Sequence, residues 1–207
     1  MGRSLKGRSR LVKLLMGLAL SCGGPAAPPA AAACVAEAAA LPTPADPRLQ
    51  AAHLVVVHKS ARRAQHFAGG AATRGPDGHP RCWPTALGFA PEGPKRAQGD
   101  GRTPEGWYWS SDKPWSSFSG AIAVHYPAGA DGRAAGVAPA LQARLDAAEA
   151  ARRKPPQDSP LGGEILIHGG GAARDWTLGC VAMEDGQLDE LRALLPADKG
   201  AWVLILP

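Results

Sequence analysis

The sequence predicts a mainly β fold of the β-rich α+β class, with one helix packed near the C-terminus and a helical insertion on the surface. Three observations carry this expectation. Gly and Pro, 26 and 20 of 207 residues, punctuate residues 69–104 so densely that the apolar pieces between them are strand-sized and never helix-sized. Apolar runs rich in β-branched residues recur elsewhere, as HLVVVH, AIAVHY, EILIH and WVLIL. Only residues 139–153 and 187–195 have the length and composition of helices.

Residues 1–13 are basic, residues 14–20 are mostly apolar and small residues follow, which is the layout of a secretory signal. The expected organisation is a signal peptide and Ala-rich leader over 1–40, a Pro-rich linker over 41–48, and one domain over 49–207 with an insertion at about 128–160. The periplasm or cell envelope is then the expected location. The apolar run falls short of the ~20 residues that span a bilayer, so no transmembrane helix is expected in the mature protein. LALSC at 18–22 loosely resembles a lipoprotein signal, but Ala19 stands where a large aliphatic residue is usual. Simple cleavage is therefore preferred to lipid anchoring. The formal charge of +5 is concentrated in this leader, where Arg3, Lys6, Arg8, Arg10 and Lys13 face Glu37 alone. Residues 41–207 balance 18 basic against 17 acidic side chains, so no nucleic-acid partner is expected.

Within the domain, residues 53–58 read as a strand, Lys59 and Ser60 as a turn, and residues 63–67 as the returning strand. Residues 83–89, 107–109 and 121–126 are further strand-sized pieces, the last ended by Pro127. Residues 139–153 form a helix with Pro at its start and Pro155 and Pro156 beyond its end. Its apolar side is mostly alanine, which suits a solvated insertion, with a lid over a substrate groove as the functional alternative. Residues 164–168 are a buried-type strand that delivers His168 into three glycines. Residues 187–195 align Leu188, Leu191, Leu194 and Leu195 on one helical face, and residues 202–206 close the domain as a strand.

The densest chemical signal is residues 167–183, IHGGGAARDWTLGCVAM. A free thiol with pKa ~8.5 is only a few per cent thiolate near neutrality, so Cys180 needs a base, and His168 is a candidate. Gly179 lets the backbone turn tightly enough to aim N–H groups at a developing oxyanion, and Thr177 adds a hydroxyl. Eleven residues separate His168 from Cys180, and that spacing alone does not show that they meet. The bland readings are a buried structural thiol and a strand-end histidine satisfied by backbone. If cleavage falls after Cys34, Cys82 and Cys180 either pair or serve separately. His79, Cys82, His168 and Cys180 are zinc-type ligands but lack a tight second pair, so neither metal nor cofactor is expected. Trp107, Tyr108, Trp109 and Trp115 suit packing more than a glycan platform. Residues 99–106, GDGRTPEG, lack the strand-to-helix context of a phosphate cradle and read as a turn bracing the site.

His168-Gly169 followed by Asp175-Trp176-Thr177-Leu178-Gly179-Cys180 resembles the L,D-transpeptidase catalytic domain family, the YkuD-like fold, in its periplasmic branch with the Asp-Trp-Thr-x-Gly-Cys signature. HLVVVHKSARR, PEGPKRAQGDGRTPEGWYW, Tyr126-Pro127 and SPLGGEILIHG fall in the order seen there, so the resemblance covers roughly residues 50–207. Leu178 and Ala182 depart from it, since many members carry His before the Gly-Cys pair and Arg or Asn two places after the cysteine. Those departures bear on acceptor and stem-peptide contacts, not on the His168 and Cys180 pair.

The resemblance implies a β-sandwich or partly open barrel acting on peptidoglycan stem peptides in cell-wall biogenesis and cell shape. Cys180 is then the nucleophile toward a diaminopimelate to D-alanine bond, and His168 the general base and acid. The N–H groups of Gly179 and Cys180, with Thr177, hold the oxyanion. A carbonyl of Gly169 or Gly170 orients His168, and Asp175 and Trp176 shape the substrate loop, with a direct Asp175 to His168 contact left open. An amine acceptor resolves the thioester: a second stem, a D-amino acid or a wall-anchored protein. The alternatives are a hydrolase or amidase of the same fold, in which water replaces the amine, and a non-catalytic wall-binding module, for which Leu178 and Ala182 give some footing.

Overall fold

A computed structural model describes residues 1–2, 34–118 and 120–207. The expected signal peptide, its apolar run and the lipoprotein-like residues 18–22 lie outside the described residues. The chain divides into Met1–Ala31 and Ala32–Pro207, and the fold belongs to the second unit.

Among the described residues, nine strands form one curled, half-barrel sheet. They are β1 (Leu54–His58), β2 (Arg63–Ala68), β3 (Ala71–Ala72), β4 (Trp83–Pro84), β5 (Gly106–Lys113), β6 (Ala121–Val124), β7 (Leu166–His168), β8 (Val181–Ala182) and β9 (Trp202–Leu206). Their order is β3-β2-β1-β9-β5-β6-β7-β8, with β4 on β2. The expected hairpin is the β1–β2 pair. β9 runs parallel to β1 and antiparallel to β5, so it joins the two halves of the sheet. β5 is long enough to bend: Gly106 to Trp109 pair with β9, and Ser110 to Lys113 with β6.

Alternation along each strand sorts the side chains between two faces. Val55, Val57, Tyr108, Ile122, Val124, Ile167, Val203 and Ile205 build the main core, with Leu188 and Leu191 of α3 (Asp185–Leu194). Leu54, Val56, Phe67, Leu204 and Leu206 face the other way and are covered by Ala38, Leu41 and Leu49. Burial on both faces explains why β1 and β9 read as continuous apolar runs.

Ala38 and Leu41 come from the stretch expected to be leader end and linker, and Leu49 is the first residue of the expected domain but one. Residues 34–50 lie against the sheet because its outer face needs apolar cover. Ala38 is fully buried and its N–H donates to Gly70 O at 2.7 Å. Val35 N–H donates to Gln65 Oε1 at 3.2 Å, and Gln65 Nε2 donates to Val35 O at 3.0 Å. A Cys34–Cys82 disulfide ties the stretch down. Cys82 is thus unavailable both to Cys180 and to the zinc alternative, and Cys180 is a free thiol.

The insertion is a helical hairpin, α1 (Gly129–Ala135) and α2 (Pro139–Ala150). Two glycines hide α1 from a propensity reading. Asp131, whose carboxylate accepts the Ala128 N–H at 2.8 Å, caps its start. α2 is less solvated than its alanine-rich face suggests, since Leu145 is fully buried in the main core. Residues 83–89 are only briefly a strand. Ala86 and Gly88 instead bridge to Ala182 and Thr177, which ties this segment to the cysteine loop. No helix among the described residues is long and apolar enough to cross a membrane.

Breaking the disulfide removes the closure of the 34–82 loop from the unfolded chain. Cys82→Ser is expected to lower the unfolding free energy by about 2–4 kcal/mol in urea without reductant. The wild-type protein measured in reductant should match the variant.

Candidate active site

β7 turns Ile167 into the main core and Leu166 and His168 to the opposite face. The turn after His168 is pinned to the start of α3: Gly170 N–H donates to Asp185 Oδ1 at 2.8 Å and Gly171 N–H to Met183 O at 2.9 Å. His168 Nδ1 lies 2.6 Å from Gly169 O. A carbonyl only accepts, so Nδ1 carries the proton and Nε2 keeps its lone pair for base chemistry. The ring stacks on Phe118, with centroids 4.1 Å apart and planes 24° apart, and meets Trp176 edge-on at 5.6 Å. Burial pushes the imidazole pKa below its ordinary value, against a smaller upward pull from the Gly169 hydrogen bond.

Cys180 reaches the same face through a loop held along its whole length. Ala86 and Ala182 exchange backbone hydrogen bonds, Trp176 N–H and Thr177 N–H both donate to Leu87 O at 3.1 Å, and Phe89 N–H donates to Thr177 O at 3.0 Å. Thr177 Oγ1 accepts from Gly179 N–H at 3.1 Å and donates to Cys180 O at 2.8 Å. Thr103 accepts from Gly88 N–H at 3.0 Å and also approaches Cys180 O, so the GDGRTPEG turn does brace this loop. Gly179 sits at φ +133°, where a Cβ would lie 2.6 Å from Arg102 O.

The thiol packs beside Ala121, Ala123 and Leu166. Its Sγ accepts from Leu166 N–H at 3.4 Å and donates to Glu164 O at 3.5 Å. Burial raises the thiol pKa above its ordinary value, and the Leu166 N–H and the lysines Lys95 and Lys113 offset this only in part. The resting pair is therefore a neutral thiol and a neutral imidazole. β7 and β8 pair in parallel with His168 opposite Ala182, which places His168 and Cys180 on one sheet face, two residues apart in register.

The structure brings together His168, Gly169, Trp176, Thr177, Gly179 and Cys180, and sorts their roles. Gly169 supplies the carbonyl that orients His168, whereas Gly170 bonds to Asp185. The Gly179 N–H points at Thr177, leaving the Cys180 N–H without an acceptor among the described residues. Asp175 does not face His168. Its carboxylate takes Arg62 Nε and Nη2, the latter at 2.7 Å, and accepts Leu87 N–H at 2.8 Å, so it fastens the loop to the β1–β2 turn. Trp176 Nε1 donates to Gly171 O at 3.2 Å, closing the glycine turn over the imidazole. Leu178 is exposed, while Ala182 is buried.

Phe118 and Glu164 belong to the site and carry no sequence signal for it. Phe118 lies in a loop without periodicity, and Glu164 acts through its carbonyl, which no residue type advertises. The Glu164 carboxylate is held between Lys113 and Lys154, which keep its pKa below the ordinary value.

The family model for the L,D-transpeptidase catalytic domain, YkuD, matches residues 52–205. Among solved structures, the chain is similar to the helical cell shape determining protein Pgp2 from Campylobacter jejuni. There identity is 20%, with 74% of this chain and 47% of that one covered and a TM-score of 0.49. Bd1075 from Bdellovibrio bacteriovorus follows at 18% identity, covering 75% and 48%, with a TM-score of 0.45. An L,D-transpeptidase from Xylanimonas cellulosilytica is 13% identical over 77% of this chain and 62% of that one, with a TM-score of 0.41. The chain spans about half the length of the first two. No curated protein matches it.

Since burial is what depresses the His168 pKa, opening the ring to water should reverse the shift. Phe118→Ala is expected to raise the His168 pKa toward 6.5, followed by NMR titration of the imidazole.

Proposed function

Because the chain belongs to the L,D-transpeptidase catalytic domain family, we propose that it is an exported cysteine acyltransferase that acts on peptidoglycan stem peptides in the cell envelope. One observation carries the reading. A buried histidine whose Nδ1 is fixed on Gly169 O shares a sheet face with the chain's one free thiol among the described residues.

The thiol first leaves Glu164 O. As Nε2 of His168 takes the thiol proton, Sγ attacks the carbonyl carbon of the diaminopimelate to D-alanine bond. The carbonyl oxygen gains the charge, and the Cys180 N–H is the donor the loop leaves open for it. Collapse of the tetrahedral adduct breaks the C–N bond. His168 gives its proton to the departing D-alanine nitrogen, and the acyl group stays on sulfur as a thioester. An amine of a second stem or a D-amino acid then attacks, His168 takes its proton, and the thiol is restored as the new amide forms.

Starting from neutral partners suits this sequence. A raised thiol pKa keeps Cys180 protonated and stable between turnovers, while a lowered imidazole pKa keeps the base available below neutrality. The proton moves only when a carbonyl is present to receive the sulfur.

Cys180→Ala should leave the fold intact and reduce turnover of tetrapeptide muropeptides by at least about a thousandfold, as followed by chromatography and mass spectrometry. Retained turnover removes Cys180 from the mechanism. Protonation of His168 stops it acting as a base, so the rate should fall on acidification through an apparent pKa below 6.5. A rate that stays flat there removes His168 from the role.

A further inference from the structure

The face that carries Cys180 continues across the sheet. Cys180 bonds to Leu166 N–H, Leu166 pairs with Ala123, Ala123 with Ser111, and Trp109 lies two residues before Ser111 on the same side. Three strand spacings place Ser111 about 14 Å from the cysteine, and Trp109 lies about 7 Å further along β5. There Trp109 and Trp202 meet edge to face, with centroids 5.3 Å apart, and border a groove of about 530 Å³. Arg48, Arg152 and His53 also line it, and no carboxylate does among the described residues.

The two arginines differ. Arg48 is spent on Asp46, which takes its Nε and Nη2. The Arg152 guanidinium lies 4.3 Å from the Trp109 ring centre and 5.7 Å from that of Trp202, and it has no hydrogen-bond acceptor among the described residues. Its backbone adds an independent observation. α2 ends with Arg152 N–H on Glu149 O and Arg153 N–H on Ala148 O, and Arg152 sits at φ +50° in the left-handed position that usually goes to glycine. A large side chain is kept where the backbone favours none, and it lays a fork of unpaired donors over an indole in a cationic groove.

We propose that this groove is a subsite for a second, carboxylate-bearing stem of the same wall polymer whose first stem is held at Cys180. Arg152, held over the Trp109 ring, receives the carboxylate, and Trp109 and Trp202 form the aromatic wall beside it. The ligand's identity rests on the acyl-transfer reading above. The groove's charge and aromatic faces stand apart from it.

Arg152→Gly tests this, because it removes the guanidinium and relieves the left-handed backbone together. The probe is a soluble peptidoglycan oligomer of two or more disaccharide-tetrapeptide units, titrated by calorimetry into Cys180→Ala protein with and without the second change. Arg152→Gly should weaken binding of the oligomer about tenfold. Its melting temperature should be unchanged or higher, and in the protein that retains Cys180 a carbapenem should acylate the thiol as fast as in wild type. The oligomer with its carboxylates amidated should bind both proteins equally. Equal affinity for the unmodified oligomer overturns the subsite. A lower melting temperature with slowed acylation also overturns it, by assigning Arg152 to the fold. Neither result touches the acyl-transfer reading, which instead fails if wild-type protein forms no carbapenem adduct and turns over no muropeptide.

Discussion

Three backbones meet beside the cysteine with no room for a side chain between them. A Cβ on Gly88 would lie 2.0 Å from Gly101 O and 3.2 Å from the Gly179 Cα, and one on Gly179 would lie 2.6 Å from Arg102 O. Segments far apart in sequence are thereby brought to main-chain contact, and the thiol's position follows from where they touch. Cys180 is placed less by the strand that follows it, which is two residues long, than by the residues 86–89 and 99–103 that flank its loop. A methyl group at either glycine would separate those backbones and move the sulfur relative to a histidine held by a different strand.

The turn on one side of that contact has little regular structure, so its order comes from buried charge. Lys59 is almost fully buried and donates to Glu105, Thr103 O and Gly93 O. Lys95, equally buried, donates to Asp100 and Ala97 O. Burial works against the Asp100 carboxylate, yet the N–H groups of Arg96, Ala97 and Arg102, together with Lys95, bring its pKa down to about 2. Ammonium groups satisfied by several carbonyls fix a loop in one conformation, because any other would leave a charge buried without partners.

The parts of this molecule written in contiguous residues were legible. The strand ending in His168, the glycines after it, the Thr-x-Gly-Cys run and the leucine face of α3 are each local patterns with a local physical meaning. What stayed hidden depends on partners remote in sequence. Asp175 looks like a candidate partner for a histidine until Arg62 takes it across the sheet. Cys34 looks like leader until Cys82 and the apolar outer face claim its neighbourhood. Phe118 has no pattern at all, and it matters because His168 stacks on it. Gly179 invites the reading of an oxyanion donor, but a hydroxyl two residues away takes its amide first.

The place of β9 between β1 and β5 also governs when the sheet can exist. β1 and β2 can zip locally, and so can β5 and β6, but β1 and β5 gain their shared neighbour only with β9, a strand about 150 residues beyond β1. That pairing is among the most non-local in the molecule, and it forms only once residues 202–206 are present. The insertion of β9 sets Trp202 against Trp109 and so completes the aromatic groove on the surface that carries the histidine and the cysteine loop.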